Sequence, residues 1–255
     1  MNNTELKYMD DTYLLAGLAK IIEIGSDQNG TYVILDQTIH YPGGGGQPMD
    51  STYIQKGNSV SVKITGASFN GGNIKHYVSQ LPETIREGNE IALQVDRPTR
   101  LRNAAYHSAG HWIASIIKEN MQLQLQPTKG YHYPDGAYVE FDGSIDSLPD
   151  DILYQIEYAM RIDRQANLMI ASSTVDKVKF MQMRDSIEAP LNFTPMEDRP
   201  LRLVTFDDYK SVPCGGTHLA SVRELGAVTP TKVKLKNKKI RVSYEVELPL
   251  HMVPS

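Results

Sequence analysis

Four side chains in this 255-residue chain are of a type and spacing to hold a metal ion: His107 with His111, and Cys214 with His218. On a helix, histidines four apart lie on one face, one turn above the other, so both imidazoles reach the same point. In PCGGTH, Gly215 and Gly216 let the backbone turn tightly between the thiol and the imidazole. One thiolate with three imidazoles is a ligand set that zinc prefers, which predicts one Zn2+ per chain. Cys214 is the sole cysteine, so an internal disulfide is excluded. A zincin site is also excluded, because Ser108 rather than Glu follows the first histidine. A Cys–His nucleophile pair is the rival chemistry; two units of two ligands fit a metal better. His76, His132 and His251 have no partner at ligand spacing and read as surface or packing residues.

The elements that would position these groups follow from the pattern. Asp96 can cap a helix, Pro98 suits its first turn, and RLRNAAYHSAGHWIASIIKEN carries it to Asn120. Before residue 96 the chain alternates short apolar runs with turn signals. TYVILD (31–36), SVSVKITG (59–66) and EIALQVD (90–96) read as strands, with SDQNG, NGGN and REGN as turns. Residues 1–95 therefore predict a small β-barrel or sandwich. A second helix is expected from Ser147, with Pro149 in its first turn and a stripe of Ile152, Ile156, Ala159, Met160 and Asp163. LRLVTF reads as a strand, and TKVKLKNKKIRVSYEV as a hairpin with Val233, Leu235, Ile240, Val242 and Tyr244 on its apolar side. Residues 96–255 predict an α+β domain, with helices packed on an antiparallel sheet.

DQTIHYPGGGGQPMD follows a strand and sets four glycines between Thr38, His40, Tyr41 and Gln47. No Gly-Lys-Ser/Thr is present, which counts against a phosphate loop. A backbone without Cβ atoms can instead approach another molecule closely. The net charge of −4 argues against a uniformly nucleic-acid-binding surface but permits a basic face. The hairpin supplies one through Lys232, Lys234, Lys236, Lys238, Lys239 and Arg241, with Arg97, Arg100 and Arg102 ahead of the histidine pair. The polar, acidic N-terminus does not read as a secretory signal, YLLAGLAKIIEIG is too short to span a bilayer, and a lone thiol suits a reducing cytoplasm.

Taken together, HSAGH, CGGTH, TIHYPGGGGQPMD and VDRPTRLRNAAYH make the sequence resemble the free-standing alanyl-tRNA editing proteins, the medium-length AlaX type with a glycine-motif barrel and a zinc-bearing editing domain. The resemblance implies hydrolysis, in trans, of the ester joining serine, and also glycine, to tRNA(Ala). It implies His107, His111, Cys214 and His218 as zinc ligands, and it places Thr38 and Gln47 in the editing site. Thr38 is expected to read the serine hydroxyl and Gln47 to position the substrate, with the basic hairpin, Arg97 and Arg100 on tRNA. His40 stands where the family usually has Phe. Four protein ligands fill a tetrahedral zinc, so either His218 gives way or the metal positions substrate. The other readings are a zinc hydrolase of a different small ester or amide, and a non-enzymatic zinc-stabilised RNA-binding module. The oligomeric state has no signal.

Overall fold

In a computed structural model the chain is an α+β protein that contains a closed six-stranded barrel. The structure describes residues 3–57, 60–120, 125–143, 147–189, 193, 195, 200–207, 209–249 and 252, so His251 and Ser59 lie outside the described residues. The described residues divide into two compact units, one within residues 3–44 and 48–103, the other within residues 45–47 and 104–252.

The first unit carries β1 (Glu5–Leu6), β2 (Ala16–Asp27), β3 (Gly30–Leu35), β4 (Gln37–Thr38), β5 (Thr52–Lys56), β6 (Val60–Asn70), β7 (Asn73–Val78) and β8 (Glu90–Val95). The barrel closes in the order β2-β3-β7-β6-β5-β8. Alternation explains it: β8 buries Ile91, Leu93 and Val95, and β6 buries Val62 and Ile64, each skipping one residue. Ile21, Val33, Leu35, Ile54 and Val78 complete that core. The expected strands 31–36 and 90–96 are β3 and β8, and the turns SDQNG, NGGN and REGN fall where the chain reverses or re-enters the barrel. The early apolar stretch is neither helix nor span but most of β2.

Helix α1 (Arg97–Asn120) leads into the second unit. There follow β9 (Leu125–Tyr131), β10 (Tyr138–Gly143), α2 (Ile152–Ala166), β11 (Ile170–Val175), α3 (Lys177–Gln182), β12 (Leu201–Phe206), β13 (Val212–Pro213), β14 (Ala227–Lys236) and β15 (Lys239–Glu247). One sheet runs β14-β15-β10-β9, all antiparallel; another runs β11-β12-β13. Asn237 and Lys238 both have left-handed backbone, as a tight primed turn between β14 and β15 requires. Val242 and Tyr244 are buried while Lys232, Lys234 and Lys236 are exposed, so the hairpin has the two faces its alternation predicts. Helix α2 begins at Ile152, not Ser147: residues 147–149 are irregular, and Ile152 donates to Pro149 O from a turn that precedes the helix. Its stripe buries Ile152, Ile156 and Met160, and Asp163 at its end accepts from Trp112 Nε1 at 2.6 Å and Tyr209 at 3.0 Å. Among the described residues no helix is long and apolar enough to cross a membrane.

Candidate metal centre

Helix α1 presents His107 and His111 one turn apart, and their Nε2 atoms lie 3.1 Å from each other. The loop after β13 brings Cys214 Sγ to 3.6 Å from His107 Nε2 and 3.3 Å from His218 Nε2. One ligand atom from each of the four residues falls within 4.8 Å of all the others. A tetrahedral zinc with ordinary bond lengths has N–N edges of about 3.3 Å and N–S edges of about 3.6 Å. The donor set and its spacing therefore fit the ion.

The outward atoms of these ligands are fixed by the protein. His107 Nδ1 donates to Gln47 Oε1 at 2.6 Å, and the same oxygen accepts from Thr217 N at 3.0 Å. Gln47 Nε2 donates to Thr217 Oγ1 at 2.8 Å. Ser108 Oγ lies 3.2 Å from His218 Nδ1 and accepts from Leu219 N. Such outer partners set which nitrogen carries the proton and leave Nε2 as a lone pair for the metal. Arg202 donates to Cys214 O and Gly216 O, tying the loop to β12. Gly216 must be glycine, because a Cβ there would overlap the His107 ring.

Electrostatics prepare the same group. Burial holds His107 and His218 well below the ordinary imidazole range and His111 at about 4, so all three are neutral ligands near pH 7. Burial pushes the Cys214 thiol up, against a smaller opposing pull from the Gly216 amide and the Arg202 charge. A bound cation would favour its thiolate form.

A cavity of about 600 Å3 opens beside the cluster. Its wall includes the ligand His111, with Gly110, His132, Lys118, Glu119 and Lys129. Burial holds His132 at about 3, so it is neutral too.

A family model for class II (A) tRNA synthetases matches residues 4–99. Alanyl-tRNA editing protein AlaX-M of Methanosarcina mazei is 27% identical over 252 residues, spanning 94% of this chain and 95% of that one. AlaX-L of Pyrococcus horikoshii is 28% identical over 237 residues, 92% of this chain but 56% of its own. The alanine–tRNA ligase of Halobacterium salinarum is 28% identical over 235 residues, 88% of this chain and 24% of its own. The chain is similar to the alanyl-tRNA editing proteins along nearly its whole length. It spans about half of AlaX-L and almost all of AlaX-M.

Within this editing-protein likeness, the structure brings the four predicted metal ligands together and adds Gln47 to them. Gln47 is fully buried and its amide is engaged with His107 and Thr217, so it orients a ligand. Thr38 lies in the barrel unit, 1% exposed; its hydroxyl meets His76 Nε2 at 3.0 Å and accepts from His40 N at 3.1 Å. Arg100 does not face solvent: it is fully buried on Asp50, with Nη2 to Oδ2 at 2.5 Å and further bonds to Thr12 O and Ile39 O. Every arm of its guanidinium is engaged, which removes it from the expected tRNA contacts. Lys239 and Arg241 face Glu140, at 3.5 and 2.9 Å. The reading by spacing passed over Arg202, Thr217 and His132, whose partners come from distant segments. Ser108 and Thr217 carried a local signal, each standing next to a ligand in the sequence.

Proposed function

We propose that this chain is a zinc-dependent deacylase that acts in trans on tRNA(Ala) charged with the wrong amino acid, serine first and glycine second. The observation that carries the reading is the convergence of His107, His111, Cys214 and His218 beside a cavity whose wall includes His111, in a chain similar over its length to editing proteins. In this reading residues 96–255 form the editing domain, with α1 and α2 laid on the four-stranded sheet, and residues 1–95 form the glycine-motif barrel domain. Tyr244 Oη donating to Tyr106 O, and Arg164 donating to Gly226 O, support that packing.

Zinc held by the four ligands would polarise an ester carbonyl or lower the pKa of a bound water. The chain's own residues prepare the place. Gln47 and Ser108 hold the rings of His107 and His218 so that their lone pairs converge, and Arg202 fixes the loop that offers the thiol. His111 is the ligand on the cavity wall, where the charged 3′ end would enter. In the reaction the water oxygen joins the carbonyl carbon, the bond from that carbon to the ribose oxygen breaks, and the ribose oxygen takes a proton. Free amino acid and intact tRNA result. Thr38 is assigned the serine hydroxyl on the strength of its motif.

For tRNA contact we assign the exposed Lys232, Lys234, Lys236 and Lys238, with Arg97. Lys239 and Arg241 contribute less, since Glu140 already answers their charge. Lys234→Glu with Lys236→Glu should weaken tRNA binding and lower its salt slope by about 2, one per lost phosphate contact. Lys239→Glu should change the slope less. Equal slopes for both variants and wild type would remove the hairpin from the interface.

The deciding assay runs deacylation of Ser-, Gly- and Ala-tRNA(Ala) in parallel, with and without chelator. Chelator-sensitive loss of serine, with Ala-tRNA(Ala) spared, is expected. No turnover of any of the three by zinc-loaded protein would overturn the reading.

A further inference from the structure

Three glycines on three separate segments make room for one imidazole that is not among the metal ligands. His132 follows β9 and is 3% exposed. Its backbone N–H donates to Gly46 O at 2.8 Å. A Cβ at Gly110 or Gly130 would overlap its ring, and one at Gly46 would press on Cδ2. The ring is thus held where no side chain could crowd it.

Tyr244 settles which nitrogen carries its proton. The Tyr244 hydroxyl donates to Tyr106 O at 2.8 Å, so toward His132 Nδ1, 2.7 Å away, it acts as acceptor. Nδ1 is therefore the N–H, and Nε2 carries a bare lone pair. Among the described residues nothing hydrogen-bonds to Nε2, and it is not one of the sealed, unpartnered side-chain atoms. The ring lines the cavity beside His111, as does Gly130, whose missing Cβ leaves the space at Nε2 open. The His132 ring centre stands 4.7 Å from that of His107, yet His132 is outside the group of converging ligands.

The cavity's carboxylates, unlike His132 Nε2, already have protein partners. Glu119 accepts from Lys210 N, Glu188 faces Lys118 at 3.4 Å, and Glu140 is held by Arg241 and Lys239. A neutral, oriented acceptor with no protein partner, nine-tenths buried beside a metal centre, calls for a donor on the ligand.

We infer that His132 Nε2 binds the hydrogen-bond donor next to the scissile ester, either the α-ammonium of the amino acid or the neighbouring ribose hydroxyl. The inference rests on the deacylase reading and adds to it the residue that seats the substrate. Tyr244 is its positioning residue, acting through Nδ1.

The test compares wild type, His132→Phe, His132→Gln and Tyr244→Phe, each brought to equal zinc content by elemental analysis. Each is titrated calorimetrically with serine in amide linkage to 3′-amino-3′-deoxyadenosine, which cannot be hydrolysed at an ester. Two further mimics each lack one donor: 3-hydroxypropanoyl replaces seryl, and a hydrogen replaces the 2′-hydroxyl. Wild type should lose roughly 10- to 100-fold in affinity for one of them, which identifies the donor. His132→Phe should bind the parent mimic weaker by the same factor and become indifferent to that donor. His132→Gln, which can offer an amide oxygen, should recover part of the loss. If the Phe variant fails to fold, Tyr244→Phe decides, with a several-fold loss confined to the donor-bearing mimic. Unchanged binding, or equal weakening of all three mimics, would reduce His132 to a space-filling ring. Wild type that binds the mimics yet deacylates no mischarged tRNA(Ala) would instead overturn the deacylase reading, and the inference with it.

Discussion

Each unit of this chain buries a cluster of imidazoles, and the two clusters are built in opposite senses. In the barrel, His76 donates from Nδ1 to Val33 O at 3.2 Å and accepts at Nε2 from Thr38, while His40 Nδ1 meets Thr52 Oγ1 at 2.8 Å. Those bonds turn the rings toward the barrel's own backbone and hydroxyls; only His40 Nε2 is left without a partner. In the second unit, His107 and His218 meet protein through Nδ1 and turn Nε2 toward Cys214 and one another's neighbours. Burial holds both sets neutral. Burial therefore does not mark a ligand. The direction of the lone pairs does.

Removing the thiol should break one cluster outright. Cys214→Ala is expected to lose zinc and to drop deacylation to background, because thiolate ligation supplies much of the affinity. Retention of stoichiometric zinc by elemental analysis would show that three imidazoles suffice and would break the donor assignment.

Acid should test the barrel cluster through His76. His76, ordinarily near 6.5, is held at about 4 by desolvation. Because the folded value lies below the unfolded one, there is no cost above pH 6.5. As pH falls from 6.5 the unfolded chain takes the proton first, and stability is lost until about pH 4, where the folded ring is protonated as well. The depression corresponds to about 3 kcal/mol. Histidine NMR of the folded, zinc-loaded protein should find His76 neutral down to the region of pH 4. Titration near 6.5 would mean that the ring reaches water, and the contrast between the two clusters would have to be redrawn.

A smaller change tests the outward bonds. Gln47→Ala keeps all four ligands but frees His107 Nδ1, and zinc affinity should fall roughly 10- to 100-fold, read by competition with a chelator. No change would mean that the CGGTH loop alone orients the ring.

What the sequence made legible in these clusters is what spacing can carry. HSAGH and CGGTH each place two ligands four apart, and the barrel strands announce themselves by alternation between turns. His132 had no such signature, because the groups that give it meaning, Gly46, Gly110 and Tyr244, reach it only through the fold. Arg100 sat in a basic run that reads as surface until Asp50 is placed beside it. β9, LQPTKGY, carries a proline and mostly exposed residues, so neither propensity nor alternation marks it as a strand, although it walls the cavity. Pro149 suggested an early start for α2, yet a proline fits a turn before a helix as readily as the helix's first turn.

Thr38 offers the finest test, since its hydrogen bonds belong to the barrel cluster and its motif to the editing proteins. Its hydroxyl proton goes to His76 Nε2, and one lone pair accepts from His40 N. One lone pair remains, so serine can be read only by donating its hydroxyl to Thr38. Thr38→Val keeps the shape and removes all three interactions. As a barrel residue alone, Thr38→Val would cost about 2 kcal/mol or more of stability in denaturant titration, since it strands His76 Nε2 and the His40 N–H, and would slow Ser- and Gly-tRNA(Ala) alike. As the serine reader it should cost the same stability and, in addition, slow Ser-tRNA(Ala) by about fivefold more than Gly-tRNA(Ala), the worth of one net hydrogen bond. Equal slowing would return Thr38 wholly to the barrel. Serine recognition would then be sought first at His40, whose buried Nε2 is the one acceptor or donor in that cluster without a partner.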